Sequence, residues 1–254
     1  TDHHDYPLAN KIYAASHAEQ NMDSEMLVFI DSDIFFLNEP SEFLIPKEYD
    51  VVLRPVDSKN VGAESVNDPN WEYWKKLYQL SGVKEHAYVT TSIDKKRVLS
   101  YWNSGHVVVR RNRNIFQRWK ENFEIVMKDG LMPDDGIFYV EQTVFAATIS
   151  AMKCRVKKFS PFYNYPIHLQ SRITEPGERA VYVNELISAH YHKIFKAGFA
   201  NQIIGPMINS KDEKSRWLIK RLVDFGLIEN EEIILPNKNP ASIIRDFFKS
   251  IQIS

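Results

Sequence analysis

Short apolar blocks alternate with longer stretches of helical periodicity through most of the chain. From Pro7 to about Gln20, Leu8, Ile12, Tyr13 and Ala15 recur at helical spacing and predict an amphipathic helix. The run Met26-Leu27-Val28-Phe29-Ile30 that follows is short, continuous and partly β-branched, which predicts a strand covered on both faces. Asp50-Val51-Val52-Leu53 and His106-Val107-Val108-Val109 are two more runs of this kind. Helical patterns fall between and after them. Trp71 to Leu80 puts Trp71, Trp74 and Tyr78 on one face, Ile115 to Met127 gathers Phe116, Trp119, Phe123 and Val126, and Val140 to Met152 reads as a third helix. Strands alternating with helices of about ten to fifteen residues predict an α/β fold with a mostly parallel sheet flanked by helices.

Beyond Phe159 the pattern becomes irregular, with Pro161, Pro166, Pro176 and Gly177 marking loops. Lys211 to Phe225 and Pro240 to Ile251 then read as two amphipathic helices. No repeat, low-complexity tract or linker interrupts the chain. The expected organisation is one α/β domain over residues 1–205 and a helical extension over 206–254 packed on it.

Composition narrows the function classes more than the fold. The 254 residues are 44% hydrophobic and 26% charged, near globular averages, which argues against disorder, collagen and coiled coil. Thirty-two Lys and Arg against 33 Asp and Glu leave a net charge of −1, so no field favours nucleic acid. The one cysteine, Cys154, excludes an intramolecular disulfide. No apolar run approaches the ~20 residues that cross a bilayer, and no signal peptide is expected. These features favour a cytoplasmic address. The chain opens at Thr1 without Met, which raises the expectation that it is a fragment.

Four patterns carry candidate chemistry. Asp31-Ser32-Asp33 ends the first apolar strand, and strand alternation would point both carboxylates the same way. Ligands of open α/β sheets gather beyond the carboxyl ends of strands, and close carboxylates invite Mg²⁺, Mn²⁺ or Ca²⁺. A polar strand end that begins a turn is the plain alternative. Tyr101-Trp102-Asn103-Ser104-Gly105 feeds the strand at His106, either as a loop admitting a ligand or as a turn or bulge. Glu141-Gln142 follows the loop Met132-Pro133-Asp134-Asp135-Gly136 and opens a helix, where the pair either caps it or orients a hydroxyl. His190 and His192 would share a strand face at the end of an apolar segment, with Lys193 and Lys196 beyond, suggesting an anionic pocket or metal ligands. His3-His4-Asp5 could chelate a metal but reads as a mobile terminus.

Taken in order over roughly residues 7–196, these patterns resemble the retaining GT-A glycosyltransferases, especially the family 8 type that includes glycogenin and bacterial galactosyltransferases. The resemblance rests on Phe29-Ile30-Asp31-Ser32-Asp33, Asn103-Ser104-Gly105, Glu141-Gln142 and His190-Tyr191. It implies a GT-A-like, Rossmann-like fold. The implied activity is transfer of a sugar from a nucleotide-diphosphate donor, a UDP-sugar first, to a carbohydrate or other hydroxyl acceptor with retention. Asp31 would meet the donor ribose or the metal, and Asp33 and His190 would bind Mn²⁺ or Mg²⁺. Ser32, Ser104 and Gly105 would line the donor, Lys11 would touch its diphosphate or sugar, and Lys193 or Lys196 would neutralise the leaving group. Asn103 and Glu141 would hold donor or acceptor hydroxyls, with Gln142 near the anomeric face during front-face attack.

The chain departs from that pattern in two ways. Family members carry about three strands ahead of Asp-x-Asp, a segment that holds the nucleobase, whereas 30 residues precede Asp31 here. His190 is followed by Tyr-His-Lys where a Gly is usual, which makes His192 an alternative ligand. The segment Asp57 to Ser100 has no counterpart. Trp71, Tyr73, Trp74, Tyr78, Tyr88, Tyr101 and Trp102 are expected to be core for the most part, with acceptor stacking as the alternative. Arg54 would reach an acidic acceptor or lie exposed at a strand end. A haloacid-dehalogenase-like phosphatase also begins with Asp-x-Asp, but it expects Thr or Val where Phe35 stands and an acidic pair for which Asp134-Asp135 is the candidate. An inactive sugar-binding scaffold, and a homo-oligomer covering exposed apolar residues, complete the alternatives.

Overall fold

The structure, a computed structural model, describes residues 6–134, 136–191, 204–209 and 211–226. The strands are β1 (Met26–Ile30), β2 (Ile34–Phe36), β3 (Val51–Leu53), β4 (Tyr88–Thr90), β5 (Arg97–Leu99), β6 (His106–Arg110), β7 (Val156–Lys158), β8 (Tyr165–Pro166) and β9 (Ser188–His190). The helices are α1 (Ala9–Asn21), α2 (Trp71–Ser81), α3 (Ile115–Asp129), α4 (Val140–Ala151) and α5 (Glu213–Asp224). They fall into two compact units, Thr1–Ser32 with Ser41–Ser160, and Asp33–Pro40 with Pro161–Ser254. The sequence suggested a single boundary at residue 205.

The first unit is mixed α/β, as the alternation of strands and helices predicts. Its sheet has the order β1-β6-β3-β7. β6 lies antiparallel to both β1 and β3, and β3–β7 is the parallel pair, so this sheet is mixed where a mostly parallel one was expected. An apolar run reports burial of both faces, and either strand direction satisfies it when helices cover the sheet. β6 has that burial, with His106 through Val109 inaccessible. β1 does not. It is an edge strand whose Val28 is 40% exposed, so its apolar composition overstated how deeply it is covered.

Helix periodicity placed the core well. Trp74, Leu77, Phe116, Trp119 and Phe123 are all buried, and burying Phe116 or Phe123 contributes about 1.5–3 kcal/mol each. α4 is buried on nearly every side, from Val140 through Ile149. The first turn of such a helix carries its polar side chains into the interior with it, and that is how Glu141 becomes a 5% exposed carboxylate.

The second unit contains the three-stranded sheet β2-β9-β8, with β2 antiparallel and β8 parallel to β9. Asn38 holds this sheet's loops, its amide donating to Asn184 O and Leu186 O at 2.7 Å each. α5 is amphipathic as expected, burying Leu218, Ile219 and Leu222 behind an Asp212 cap on Ser215 N. The helix expected at 240–251 lies outside the described residues. Among those residues no helix is long and apolar enough to cross a membrane.

Candidate active site

Four separate elements of the first unit converge on one ammonium group. Lys11 projects from α1 and is 12% exposed. Its Nζ lies 2.7 Å from Glu141 Oε1 at the start of α4 and 3.5 Å from Asp31 Oδ1 at the end of β1. It also donates to Ser104 Oγ at 3.2 Å, in the loop that enters β6. Three donors thus meet three acceptors, all that an ammonium can satisfy. Ser104 in turn presents its hydroxyl to the Glu141 carboxylate, 2.8 Å from Oε2 and 3.0 Å from Oε1.

Backbone contacts fix the two carboxylates. The Glu141 N–H donates to Tyr6 Oη at 3.0 Å, and Trp119 Nε1 donates to Glu141 O at 3.0 Å. Asp31 N–H donates to Gly105 O at 2.7 Å, while Gly105 N–H donates to Asn103 Oδ1 at 2.8 Å. Gly105 is a glycine because of this close approach. A Cβ there would stand 2.2 Å from Asp31 Oδ2 and 2.9 Å from its Cγ, inside any permitted contact. Beside it, Gln142 donates from Nε2 to the Tyr101 hydroxyl at 2.9 Å.

The electrostatics follow from burial and neighbours. Burial pushes the Glu141 carboxyl above its ordinary value, against the opposing pull of Lys11 and the Ser104 hydroxyl. Burial alone would lower Lys11, but Glu141 and then Asp31 outweigh it and raise the ammonium's pKa. Lys11 is therefore a firmly protonated cation bracketed by two acids.

In the second unit, β2 and β9 set Ile34 opposite His190, and Tyr191 N–H donates to Asp33 O at 3.0 Å. This register brings His190 Nε2 within 2.9 Å of Asp33 Oδ2. Phe35 and Tyr191 stack alongside, with ring centroids 6.1 Å apart. A carboxylate oxygen and an imidazole nitrogen facing each other are donor types that fit a divalent cation.

Residues 31–33 form a turn between β1 and β2, so strand alternation does not set the directions of Asp31 and Asp33. The four-element cluster brings together Lys11, Asp31, Ser104, Gly105 and Glu141, with Asn103 and Gln142 at its edge. Ser32, between the two acids, lies in the turn itself. Lys193, Lys196, His192, Asp135 and the His3-His4-Asp5 cluster lie outside the described residues. Tyr6, which holds Glu141, escaped the sequence reading because its partner lies 135 positions along the chain; Tyr101 belongs to the pattern that ends at Gly105, which gave no sign of its bond to Gln142. Arg54 is not exposed: it is buried and donates to Asp57 Oδ1 and Ser92 Oγ at 3.1 Å each. Of the seven aromatic candidates, Tyr73, Trp74, Tyr78, Tyr101 and Trp102 are core.

A charge-coupled cluster of side chains at the end of the first unit's sheet is the class of site found here. The sequence matches the Rhodobacterales glycosyltransferase domain over residues 1–153, and the chain belongs to that family. Among solved structures it is similar to the galactosyltransferase LgtC in complex with donor and acceptor sugar analogues. The two share 15% identity over 70% of this chain and 57% of that one, with a TM-score of 0.39. The chain therefore spans less than two thirds of that structure's length. No curated protein matches the sequence.

Proposed function

We propose that this chain is a GT-A-like, metal-dependent glycosyltransferase that takes its sugar from a nucleotide diphosphate, UDP first, with retention at the anomeric carbon. One observation carries the reading: a single turn, residues 31–33, presents Asp31 to Lys11 and Asp33 to His190. Chain connectivity keeps the Cα atoms of the two aspartates within about 7 Å. Asp33 and His190, with Asp31 from the same turn, would hold Mn²⁺ or Mg²⁺, whose charge would stabilise a departing diphosphate.

The chain's own residues supply the rest. Lys11 holds Asp31 and Glu141 in place, Gly105 leaves room for Asp31, and Asn103 and Gln142 border the space for donor or acceptor hydroxyls. Both oxygens of Glu141 are already bonded, so it is a poor nucleophile for a double displacement. That favours retention by front-face attack, with Gln142 nearest the anomeric face. Lys193 or Lys196 would meet the leaving group.

Titration calorimetry with UDP, and then with UDP-sugars, with and without Mn²⁺ tests the reading. Manganese-dependent binding is the expected result. Absence of binding by any nucleotide to folded protein overturns it, and nuclear magnetic resonance of the first-formed product reports the anomeric configuration.

A further inference from the structure

We infer that Lys11 and Glu141 form a counter-charge pair that sets how strongly Asp31 attracts a divalent cation, with Ser104 as the residue that positions Glu141 for this task. The inference rests on the metal reading above. It starts from the unequal sharing of one ammonium, which lies 2.7 Å from Glu141 and 3.5 Å from Asp31. A protonated lysine beside a metal-binding carboxylate competes with the metal for that carboxylate. Glu141 draws the lysine the other way, and the Ser104 hydroxyl bridges the two, accepting from Lys11 and donating to Glu141. Phe29, over whose ring Lys11 Nζ lies at 5.8 Å, closes another side of the ammonium.

This assignment gives Glu141 a positioning role in place of direct contact with sugar hydroxyls. At 5% exposure, with both oxygens engaged, the carboxylate acts through Lys11 on Asp31. Losing its charge would free Lys11 to pair with Asp31 and would also remove a negative charge from the metal's surroundings. Removing Lys11 as well would restore the charge balance.

Mn²⁺ titrations read by electron paramagnetic resonance test this without any turnover. Glu141→Gln is expected to weaken Mn²⁺ binding on the order of tenfold. The double variant Lys11→Met/Glu141→Gln is expected to return to within about twofold of the native protein, since it buries no unpaired charge. Ser104→Ala changes no charge and is expected to weaken binding about threefold by letting Glu141 turn away. Equal affinity in Glu141→Gln and native protein, or a double variant as weak as Glu141→Gln, overturns the inference while leaving the metal site standing. An unaltered affinity in Ser104→Ala removes Ser104 from the arrangement. If native protein itself binds no Mn²⁺, the metal reading falls, and this inference with it.

Discussion

Two glutamates of the first unit are both buried, yet they are held in opposite ways. Glu19, on α1, is 2% exposed and receives the backbone N–H groups of Phe116 and Gln117 at 3.2 and 2.7 Å. It serves as a remote cap for α3, whose own N-terminal residue Asn114 sits at φ 54° and makes no side-chain cap. Glu141, on α4, is instead answered by a lysine ammonium and a serine hydroxyl. Burial pushes both carboxyls up. Backbone donors cannot leave, so Glu19 fixes one helix against another. Side-chain donors can be shared, and the lysine that answers Glu141 is shared with Asp31. The same residue type is scaffold in one place and adjustable charge in the other.

The largest effect comes from breaking the Glu141 side of this contrast at Gly105. Gly105→Ala puts a methyl group 2.2 Å from the present position of Asp31 Oδ2, and Asp31 must move away from Lys11. Metal-dependent donor binding is expected to fall by about a hundredfold or more, as for a misplaced first-contact residue. The fold is expected to survive, because the carboxylate can swing toward its 28% exposed side. Calorimetry and circular dichroism on the same sample check both halves, and intact donor binding would show that Asp31 has no role at this position.

Breaking the other side costs stability instead. Glu19→Ala leaves two backbone donors at the start of α3 unanswered and is expected to cost about 1–2 kcal/mol, read as a lowered denaturant midpoint. Donor affinity of the folded fraction should be unchanged, since Glu19 touches none of the Lys11 cluster. A loss of affinity equal to that of Gly105→Ala would mean that the two glutamates are not separable in function.

That separation was only half legible in the sequence. The helices were legible because three- and four-residue spacing of Trp119, Phe123 and Val126, or of Trp74 and Tyr78, is a periodic signal long enough to read. Strand pairing was not, since Val107-Val108-Val109 looks the same whether its neighbours run parallel or antiparallel. β2 and β8 were too short, at three and two residues, to stand out as strands, whereas the apolar segment before His190 did signal β9. Within the site, Asp31, Asn103-Ser104-Gly105 and Glu141-Gln142 were visible because several short patterns came in order. The sequence did not reveal that Glu141 and Asp31 share Lys11. That depends on Lys11 of α1 reaching both the start of α4 and the end of β1, and sequence separation hides it. Glu19 was invisible as a cap because its partners lie 97 and 98 positions away.

The smallest expected effect sharpens the comparison through pH. Glu19's carboxyl is raised by burial despite the backbone donors around it, so the native state binds its proton more tightly than the unfolded chain does. A raised folded value means the group's contribution to stability is full below the ordinary 4.5 and is lost as pH rises through the folded value. Asp50 provides the opposite limb. Hydrogen bonds from Arg155 hold its carboxyl below 3.8, so its contribution is present above that value and is lost as pH falls through the lowered one. Denaturant unfolding of native protein, Glu19→Gln and Asp50→Asn across pH 3 to 8 should therefore show two differences of opposite slope. The gap between native protein and Glu19→Gln should narrow from about pH 4 upward and then level. The gap to Asp50→Asn should be level near neutrality and close toward pH 3. A gap to Glu19→Gln that widens with rising pH would mean that the α3 backbone donors outweigh burial, making Glu19 an anion held by the helix rather than a carboxyl strained by its surroundings.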